Sequence, residues 1–170
     1  MILGEEDLLK DFDTLARINM KSAIGEGIAH VQTMAKNNCP IGPTSGENGK
    51  LRESITYSVQ EKGDIITGTC YTDVEHGVYV EFGTGPKGQA DHKDISPEIA
   101  VTYRQDPWLI HESDIDPATV EYYNFFCIET KVGKFYRSNG QAAHPFMYPA
   151  LADNIEDVEA IIADELRRLL

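Results

Sequence analysis

His76-Gly-Val-Tyr-Val-Glu-Phe-Gly-Thr-Gly85 is the stretch that decides the predicted fold. Its apolar residues alternate with other residues and share one face of an extended chain: Val78, Val80 and Phe82. This period of two predicts a half-buried strand, and Gly83 and Gly85 predict a sharp turn at its end. The stretch contains no nucleophile motif, phosphate cradle or pair of metal ligands. It therefore indicates a structural motif and not a catalytic one.

Further strands are predicted on both sides of this stretch. Ile55, Tyr57 and Val59 alternate with polar residues, and Lys62-Gly63-Asp64 predicts a turn into a partner strand at residues 65–71. Residues 131–137 predict a last strand, with a turn at residues 138–140. Together with residues 77–82, these segments predict an antiparallel sheet of about four strands.

Amphipathic helices flank the predicted strands. Apolar residues recur at spacings of three and four between residues 5 and 37, and Cys39-Pro40 predicts the end of this helix. Near the C-terminus a stripe with the same spacings predicts a second helix: Leu151, Ile155, Val158, Ile162, Leu166 and Leu169. Acidic residues in its first half and Arg167 and Arg168 in its last turn complement the helix dipole.

The regular pattern is lost between residues 86 and 131. Residues 40–50 have the composition of an exposed loop. From Pro86 to Glu121 the chain has three basic and eight acidic residues. A long segment of this kind inside a compact domain predicts a solvated loop or a projecting arm. Trp108 and the aromatic residues between 122 and 126 indicate that part of it docks against other groups.

These elements predict an α+β fold. A long N-terminal helix and a C-terminal helix are expected to pack on one face of an antiparallel sheet of about four strands, with a long inserted loop or arm. At 170 residues, one domain covering residues 1–170 is expected, with the insertion at about 86–131.

Composition restricts the partners. The 15 Lys and Arg against 28 Asp and Glu give a net charge of -13, whereas sequence-independent DNA binding needs clustered cations. No run approaches the roughly 18 apolar residues of a membrane span, and no signal region is recognised, so synthesis in the host cytoplasm without a membrane partner is expected. Cys39, Cys70 and Cys127 are widely spaced and predict neither a disulfide framework nor a zinc site.

Catalytic patterns are not found in the sequence. The histidines lack the spacing of zinc ligands, and the serines and cysteines lack a nucleophile elbow, so no catalytic residue, metal or cofactor is predicted. Glu81 and Arg52 are expected to be solvated or ion-paired on the open face of the sheet. A small metal-dependent hydrolase stays open as an alternative if ligands within residues 75–116 converge: His76, Asp91, His92, Asp94 and His111.

Four segments in this order resemble a known family: Pro40-Ile41, residues 49–55, residues 79–84, and residues 143–151 followed by an amphipathic helix. The family is that of the tail components of long-tailed bacteriophages typified by gene product ten of phage HK-ninety-seven. The family has Thr-Gly directly before its x-Leu-Arg segment, whereas here Thr44 lies farther upstream and Ser45-Gly-Glu-Asn48 intervenes. The segment from about Pro86 to Lys134 has no close counterpart in the shorter members.

The resemblance implies a structural virion protein of a tailed bacteriophage or prophage, located in the tail or neck and acting in head-tail joining or tail completion. Its implied partners are copies of itself in a ring and neighbouring head-completion and tail-terminator or tail-tube proteins, with DNA only as passing cargo in a channel. The net charge motivates the hypothesis that acidic side chains line this channel. A tail-assembly factor that leaves before the virion is complete is the further alternative.

The motif residues are also the candidate assembly contacts. They are Leu51, Arg52, Ser54, Tyr79, Glu81, Phe82, Gly83, Thr84, Gly85, Trp108, Pro145, Phe146 and Pro149. Phe146 is expected to pin the last helix to the sheet, because aromatic residues between prolines commonly fix how a chain enters a helix.

Overall fold

The computed structural model describes residues 5–42, 49–91 and 93–169. The predicted α+β class and the two terminal helices are confirmed. In chain order the elements are α1 (Glu5–Asn38), α2 (Lys50–Ser54), β1 (Thr56–Lys62), β2 (Ile65–Tyr71), α3 (Gly77–Phe82), α4 (Gly85–Ala90), β3 (Trp108–His111), a 3₁₀ turn (Glu112–Asp114), α5 (Pro117–Tyr123), β4 (Phe126–Thr130), β5 (Gly133–Ser138), α6 (Tyr148–Ala152) and α7 (Ile155–Leu169).

Helix α1 contacts both the C-terminal helix and the first hairpin. Every fourth residue along one side of α1 is buried: Asn19, Ala23, Gly27, Val31 and Ala35. A Cβ atom on Gly27 would lie 2.9 Å from Cγ1 of Ile162, so glycine lets α7 approach closely. On the hairpin side, a Cβ atom on Gly68 would lie 3.1 Å from side-chain atoms of Ile24 and Ile28. Glycine therefore sets the distance of α1 from both neighbours.

The strands form two antiparallel sheets and not the single sheet of about four strands that the sequence predicts. Strands β1 and β2 form a hairpin in which Val59 pairs with Gly68. Strand β5 lies between β3 and β4 in a second sheet, with Tyr136 opposite Ile110. Strand β5, the predicted last strand, begins at residue 133. It pairs with β3 and β4, which lie within residues 108–130, and not with the β1–β2 hairpin. The predicted loop or arm at 86–131 thus contains regular structure.

Residues 77–82 form helix α3 and not the predicted strand. The backbone N–H groups of Tyr79 and Val80 both donate to the carbonyl of His76, at 3.1 Å each. Helical spacing places Gly77 and Glu81 on one side, and both are buried. Val78, which an extended chain would place against the helices, is instead 58% exposed. Contacts with the rest of the fold override the strand preference of the two valines.

The residues around α2 also differ from their prediction. Leu51 is buried in the core, and the Arg52 guanidinium donates from Nε to the carbonyl of Cys39 at 3.2 Å, so Arg52 is not a solvated side chain on a sheet. Ser54 Oγ donates to the carbonyl of Leu51 at 2.8 Å. Most of the predicted loop, including Thr44 and residues 45–48, lies outside the described residues.

The core is built from one cluster of buried side chains: Val31, Ala35, Cys39, Leu51, Ile55, Phe146 and Ala150. Phe146 is 1% exposed and packs with buried residues of α1 and α2, so it is an anchor, but to these helices and not to the sheet as predicted. The C-terminal stripe is divided between two helices, because Asn154 follows α6 and its amide donates to the carbonyl of Ala150 at 3.2 Å. None of the helices in the described ranges has the length and apolarity needed to cross a bilayer.

Acid is expected to remove stability that Glu165 of α7 contributes, mainly through its ion pair with Arg168 in the same helix. Hydrogen bonds from Arg168, the Coulombic attraction of Arg168 and a hydrogen bond from Ser22 lower the pKa of Glu165 in the folded chain. The unfolded chain then binds more protons below the ordinary Glu pKa of about 4.3, so this stabilisation is complete above that pH and is lost as pH falls through the lower folded value. Thermal unfolding between about pH 7 and 3 measures this loss. Glu165→Gln should show less of it than the exposed control Glu159→Gln, and equal acid profiles would contradict the assignment.

Candidate functional site

Two of the segments that carry the family resemblance meet in space. Backbone hydrogen bonds connect them: the N–H of Thr84 donates to the carbonyl of Gln141 at 2.9 Å, and the N–H of Gln141 donates back to Thr84 at 3.1 Å. The N–H of His144 donates to the carbonyl of Val80 at 2.8 Å. We refer to residues 79–85 and 139–148 together as the junction.

Glu81 lies at the centre of the junction. Its side chain is buried, which corrects the prediction of a solvated acid on an open sheet face. Oε2 accepts hydrogen bonds from the N–H groups of Phe146 at 2.7 Å and Met147 at 2.9 Å, and Oε1 accepts from Tyr148 at 3.0 Å. N–H groups at the start of a helix have no intrahelical acceptor. The Glu81 carboxylate therefore supplies the hydrogen-bond acceptors for the backbone N–H groups where α6 begins.

Glycine is required at the turn of the junction. Gly83 has φ 70° and ψ -179°, a backbone conformation that side-chain-bearing residues rarely adopt. A Cβ atom there would lie 2.7 Å from the backbone nitrogen of Ala143 and 2.8 Å from the carbonyl oxygen of Gln141. The close approach of the two segments thus depends on the absence of a side chain at residue 83.

Residues of the insertion close over the junction. The Tyr103 hydroxyl donates to the carbonyl of Phe82 at 2.7 Å, and burial raises the pKa of this phenol, so it stays protonated and able to donate. The Arg104 guanidinium lies 5.6 Å from the ring centre of Trp108. The insertion follows the turn at residues 83–85, and residues 101–108 of the insertion fold back on the same chain.

Two open grooves flank α3. One, of about 710 Å³, lies between α3 and residues 101–108 and is lined by Tyr79, Phe82 and Trp108 among others. The second, of about 570 Å³, lies between α3 and the α6–α7 region. Its walls are mainly apolar: Val78, Phe82, Ile99, Met147, Leu151 and Ile155. We call this second one the α3/α6 groove.

The predicted contact residues divide by exposure. Five are buried and hold the fold together: Leu51, Glu81, Gly83, Gly85 and Phe146. Seven are half-buried: Arg52, Ser54, Phe82, Thr84, Trp108, Pro145 and Pro149. Tyr79 is 56% exposed. An assembly contact through a surface side chain is therefore proposed only for the half-buried residues and for Tyr79.

The sequence reasoning missed two residues that build the junction. The Gln141 side chain donates from Nε2 to the carbonyl of Tyr79 at 2.6 Å. The hydroxyl of Tyr103, which lies in the insertion, donates to the carbonyl of Phe82. Both bonds go to backbone carbonyl groups of α3, and no local pattern in the sequence signals a partner about 20 or 60 positions away. Only the turn predicted at residues 138–140 marked the neighbourhood of Gln141.

A metal-dependent hydrolase gains no support from the described residues. No three His, Cys, Asp or Glu side chains within residues 5–42, 49–91 and 93–169 are placed to hold a metal ion, and His92 lies outside those ranges. His111 Nδ1 lies 2.8 Å from Ser113 Oγ, which donates to Asp114 at 2.8 Å. In this order the acid contacts the serine and not the histidine, so the trio lacks the base-orienting acid of a catalytic triad.

Comparison with known proteins gives one match. Residues 6–83 match the model of the HK97-gp10-like family, described as “Bacteriophage HK97-gp10, putative tail-component”. This match makes residues 6–83 similar to the family, and we refer to them as the HK97-gp10-like segment. The resemblance seen in the sequence is confirmed over this segment, which is somewhat less than half of the 170 residues. No curated protein and no solved structure matches the chain.

The HK97-gp10-like segment ends at Gly83, shortly before the insertion at about residues 86–131. It contains α1, α2, the β1–β2 hairpin and α3, and so includes Glu81 but not the N–H groups that Glu81 binds. The match supports a phage tail protein in general terms, and such a protein is associated with the virion.

Proposed function

We propose that the protein is a structural neck or tail component of a tailed bacteriophage or prophage. It acts in head-tail joining or tail completion, without catalysis, as a ring of identical copies. The observation that carries this proposal is the family match over residues 6–83. The whole chain of residues 1–170 serves as one domain in this proposal, because the junction connects the matched segment to residues 139–148.

The chemistry of the junction supports a role in assembly. The one acidic side chain of the 76–85 stretch that could act as an acid or base, Glu81, has its carboxylate occupied by three backbone N–H groups. The two grooves beside α3 are open and largely apolar, and such surfaces suit protein contacts. Exposed Tyr79 and half-buried Trp108 are aromatic residues of the kind enriched at interface centres.

Further copies of the chain, head-completion proteins and tail-terminator or tail-tube proteins are the proposed partners. DNA passes through the ring as cargo, and no membrane takes part. The net charge of -13 supports a channel wall that repels phosphate and so keeps the genome from adhering. A ring with a neutral or basic lumen would contradict the last point alone.

Mass spectrometry of purified virions, combined with a nonsense codon at Gln32, tests the proposal. We expect the protein in wild-type virions at several copies per particle, and we expect the mutant to accumulate heads and tails that are not joined, or incomplete tails. A factor that leaves before completion would give the same mutant defect with no protein in the virion. Complete, infectious mutant particles would overturn the proposed function.

A further inference from the structure

A cavity of about 590 Å³ lies where the second sheet meets the junction. It is lined by residues of α4, of the chain from Ile115 to Phe125 that contains α5, and of the segment 137–141. Cavities of about 300–1,000 Å³ are typical of sites that bind a ligand or a short peptide segment. Large apolar side chains supply much of its lining: Trp108, Ile110, Ile115, Phe125 and Phe126. We call it the insertion cavity.

The walls of the insertion cavity are held in place by the backbone. The N–H of Lys87 donates to the carbonyl of Asn139 at 3.3 Å, which connects α4 to the chain that leaves β5. A Cβ atom on Gly85 would lie 2.9 Å from the same carbonyl oxygen and 3.0 Å from Cζ3 of Trp108, so glycine lets α4 approach the indole ring. Strand β5 is fixed by pairing with β3 on one side and β4 on the other. Binding in a preformed cavity costs little ordering of the chain.

The charge of the insertion cavity is opposite to that of the chain. Acidic residues outnumber basic ones by 28 to 15 in the sequence. Within the described part of the chain, however, the charged residues that line this cavity are Lys87 and Arg137, and no Asp or Glu lines it. Both basic residues are exposed, so an incoming group can reach them. The cavity therefore favours an anionic ligand.

Arg137 has no bonding partner among the described residues, although a guanidinium carries five N–H donors. It lies in β5 opposite Leu109 and Phe126, whose side chains supply no acceptor. Each of the other arginines bonds an acidic side chain or a carbonyl, or lies over an aromatic ring: Arg17, Arg52, Arg104, Arg167 and Arg168. The donors of Arg137 are thus available to a group from outside, and a carboxylate matches the planar guanidinium through two parallel hydrogen bonds.

We propose that the insertion cavity binds an acidic segment of a partner protein. A carboxylate of this segment bonds Arg137, Lys87 adds a second positive charge, and a neighbouring apolar side chain of the segment packs on Trp108 and Phe126. Charge complementarity supports this occupant, because a short segment brings one or two carboxylates to the two cations. A nucleic acid or a second copy of the chain is disfavoured, because the net charge of -13 repels every phosphate of the one and the whole charge of the other.

Fluorescence of the full chain tests the proposal, because Trp108 is its one tryptophan. The probe is a hexapeptide of alternating aspartate and leucine with both ends blocked, and its control has asparagine in place of aspartate. We expect the acidic peptide to change the emission of Trp108 and to bind about tenfold more tightly than the neutral one, because charge-assisted hydrogen bonds are about twice as strong as neutral ones. Raising salt from about 0.05 M to 0.5 M should weaken the acidic peptide alone.

Substitutions at Arg137 separate this cavity from the groove between α3 and residues 101–108, which Trp108 also lines. Arg137→Gln should weaken the acidic peptide about tenfold. Lys134→Gln makes the same change in net charge on the same strand, outside the cavity, and should bind as the wild type. Arg137→Glu should bind a lysine–leucine hexapeptide more tightly than the acidic one. A loss of folding cannot produce this reversal.

Three results would overturn the proposal. One is unchanged Trp108 emission with the acidic peptide up to about 5 mM, beyond the range of weak specific binding. Another is equal affinity of the acidic and neutral peptides, or of the wild type and Arg137→Gln. The third is tighter binding of a thymidine hexanucleotide than of the acidic peptide, which would indicate a nucleic-acid site. The titration uses the isolated chain, so its result is independent of the virion experiment that tests the proposed function.

Discussion

Replacing Glu81 by alanine is expected to lower the free energy of unfolding by about 3–5 kcal/mol. The carboxylate accepts hydrogen bonds from Phe146, Met147 and Tyr148 in the interior of the junction. Alanine removes all three acceptors and leaves buried N–H groups without partners, each at a cost of about 1–3 kcal/mol, partly offset if water enters. Urea unfolding at neutral pH measures the change.

Two conservative variants make this prediction specific. Glu81→Gln keeps the size of the side chain and one acceptor oxygen, so about 2 kcal/mol should be lost. Glu75→Gln removes one exposed carboxylate from the same loop region and should change stability by less than about 0.5 kcal/mol. Equal stability of Glu81→Gln and Glu75→Gln would contradict the role of Glu81.

Gly83→Ala is expected to destabilise the protein by about 2–4 kcal/mol. At φ 70° and ψ -179° an added methyl group strains the backbone, and it would lie 2.7 Å from the nitrogen of Ala143. The backbone of the second segment must move away to admit it. The amide of His144, which bonds Val80, should then exchange with solvent faster, and hydrogen exchange measures this together with the unfolding free energy.

Gly25→Ala is the matched control, because the same substitution at that position is expected to raise stability instead of lowering it. Gly25 lies within α1, and apart from the adjacent residues and the backbone of α1 itself, no described atom lies within 4 Å of a Cβ atom built on it. Alanine restricts the unfolded chain and favours the helix, so stability should rise by up to about 1 kcal/mol. If both variants were destabilised alike, the assigned cause at Gly83 would be wrong.

The elements that sequence reasoning predicted well are those with long or local signals. Helix α1 carries its apolar spacing over 34 residues, and the β1–β2 hairpin is defined by the turn at Gly63 between alternating segments. The C-terminal stripe was also read correctly, although Asn154 divides it. Such patterns depend on neighbours in the chain, so tertiary contacts do not reverse them.

Residues 77–82 were predicted wrongly because the deciding interaction is distant in sequence. Six residues with alternating valines fit a strand or a short helix. The choice is made by Glu81, whose carboxylate must reach N–H groups 65 to 67 positions later. Helical spacing puts Gly77 on the same side, where a Cβ atom would lie 3.1 Å from Leu51, so the helix packs closely on the core.

The sequence predicted which residues belong to the candidate site but not how they are arranged. The 79–84 and 143–151 segments were recognised separately, and their hydrogen bonds through Thr84, Gln141 and Val80 join them into one structure. The strands of the insertion were missed because β3 has four residues and β4 five, too few for a clear alternation. Their pairing with β5 stabilises a sheet that the composition of residues 86–131 does not indicate.

The proposed function places this chain as a structural component where head and tail meet. A reconstruction of the purified phage particle at side-chain resolution tests it most directly. We predict a ring of copies between capsid and tail, with the junction of residues 79–85 and 139–148 formed as described here. A boundary between head and tail that is built entirely from other proteins, with no density that fits this chain, would contradict the account.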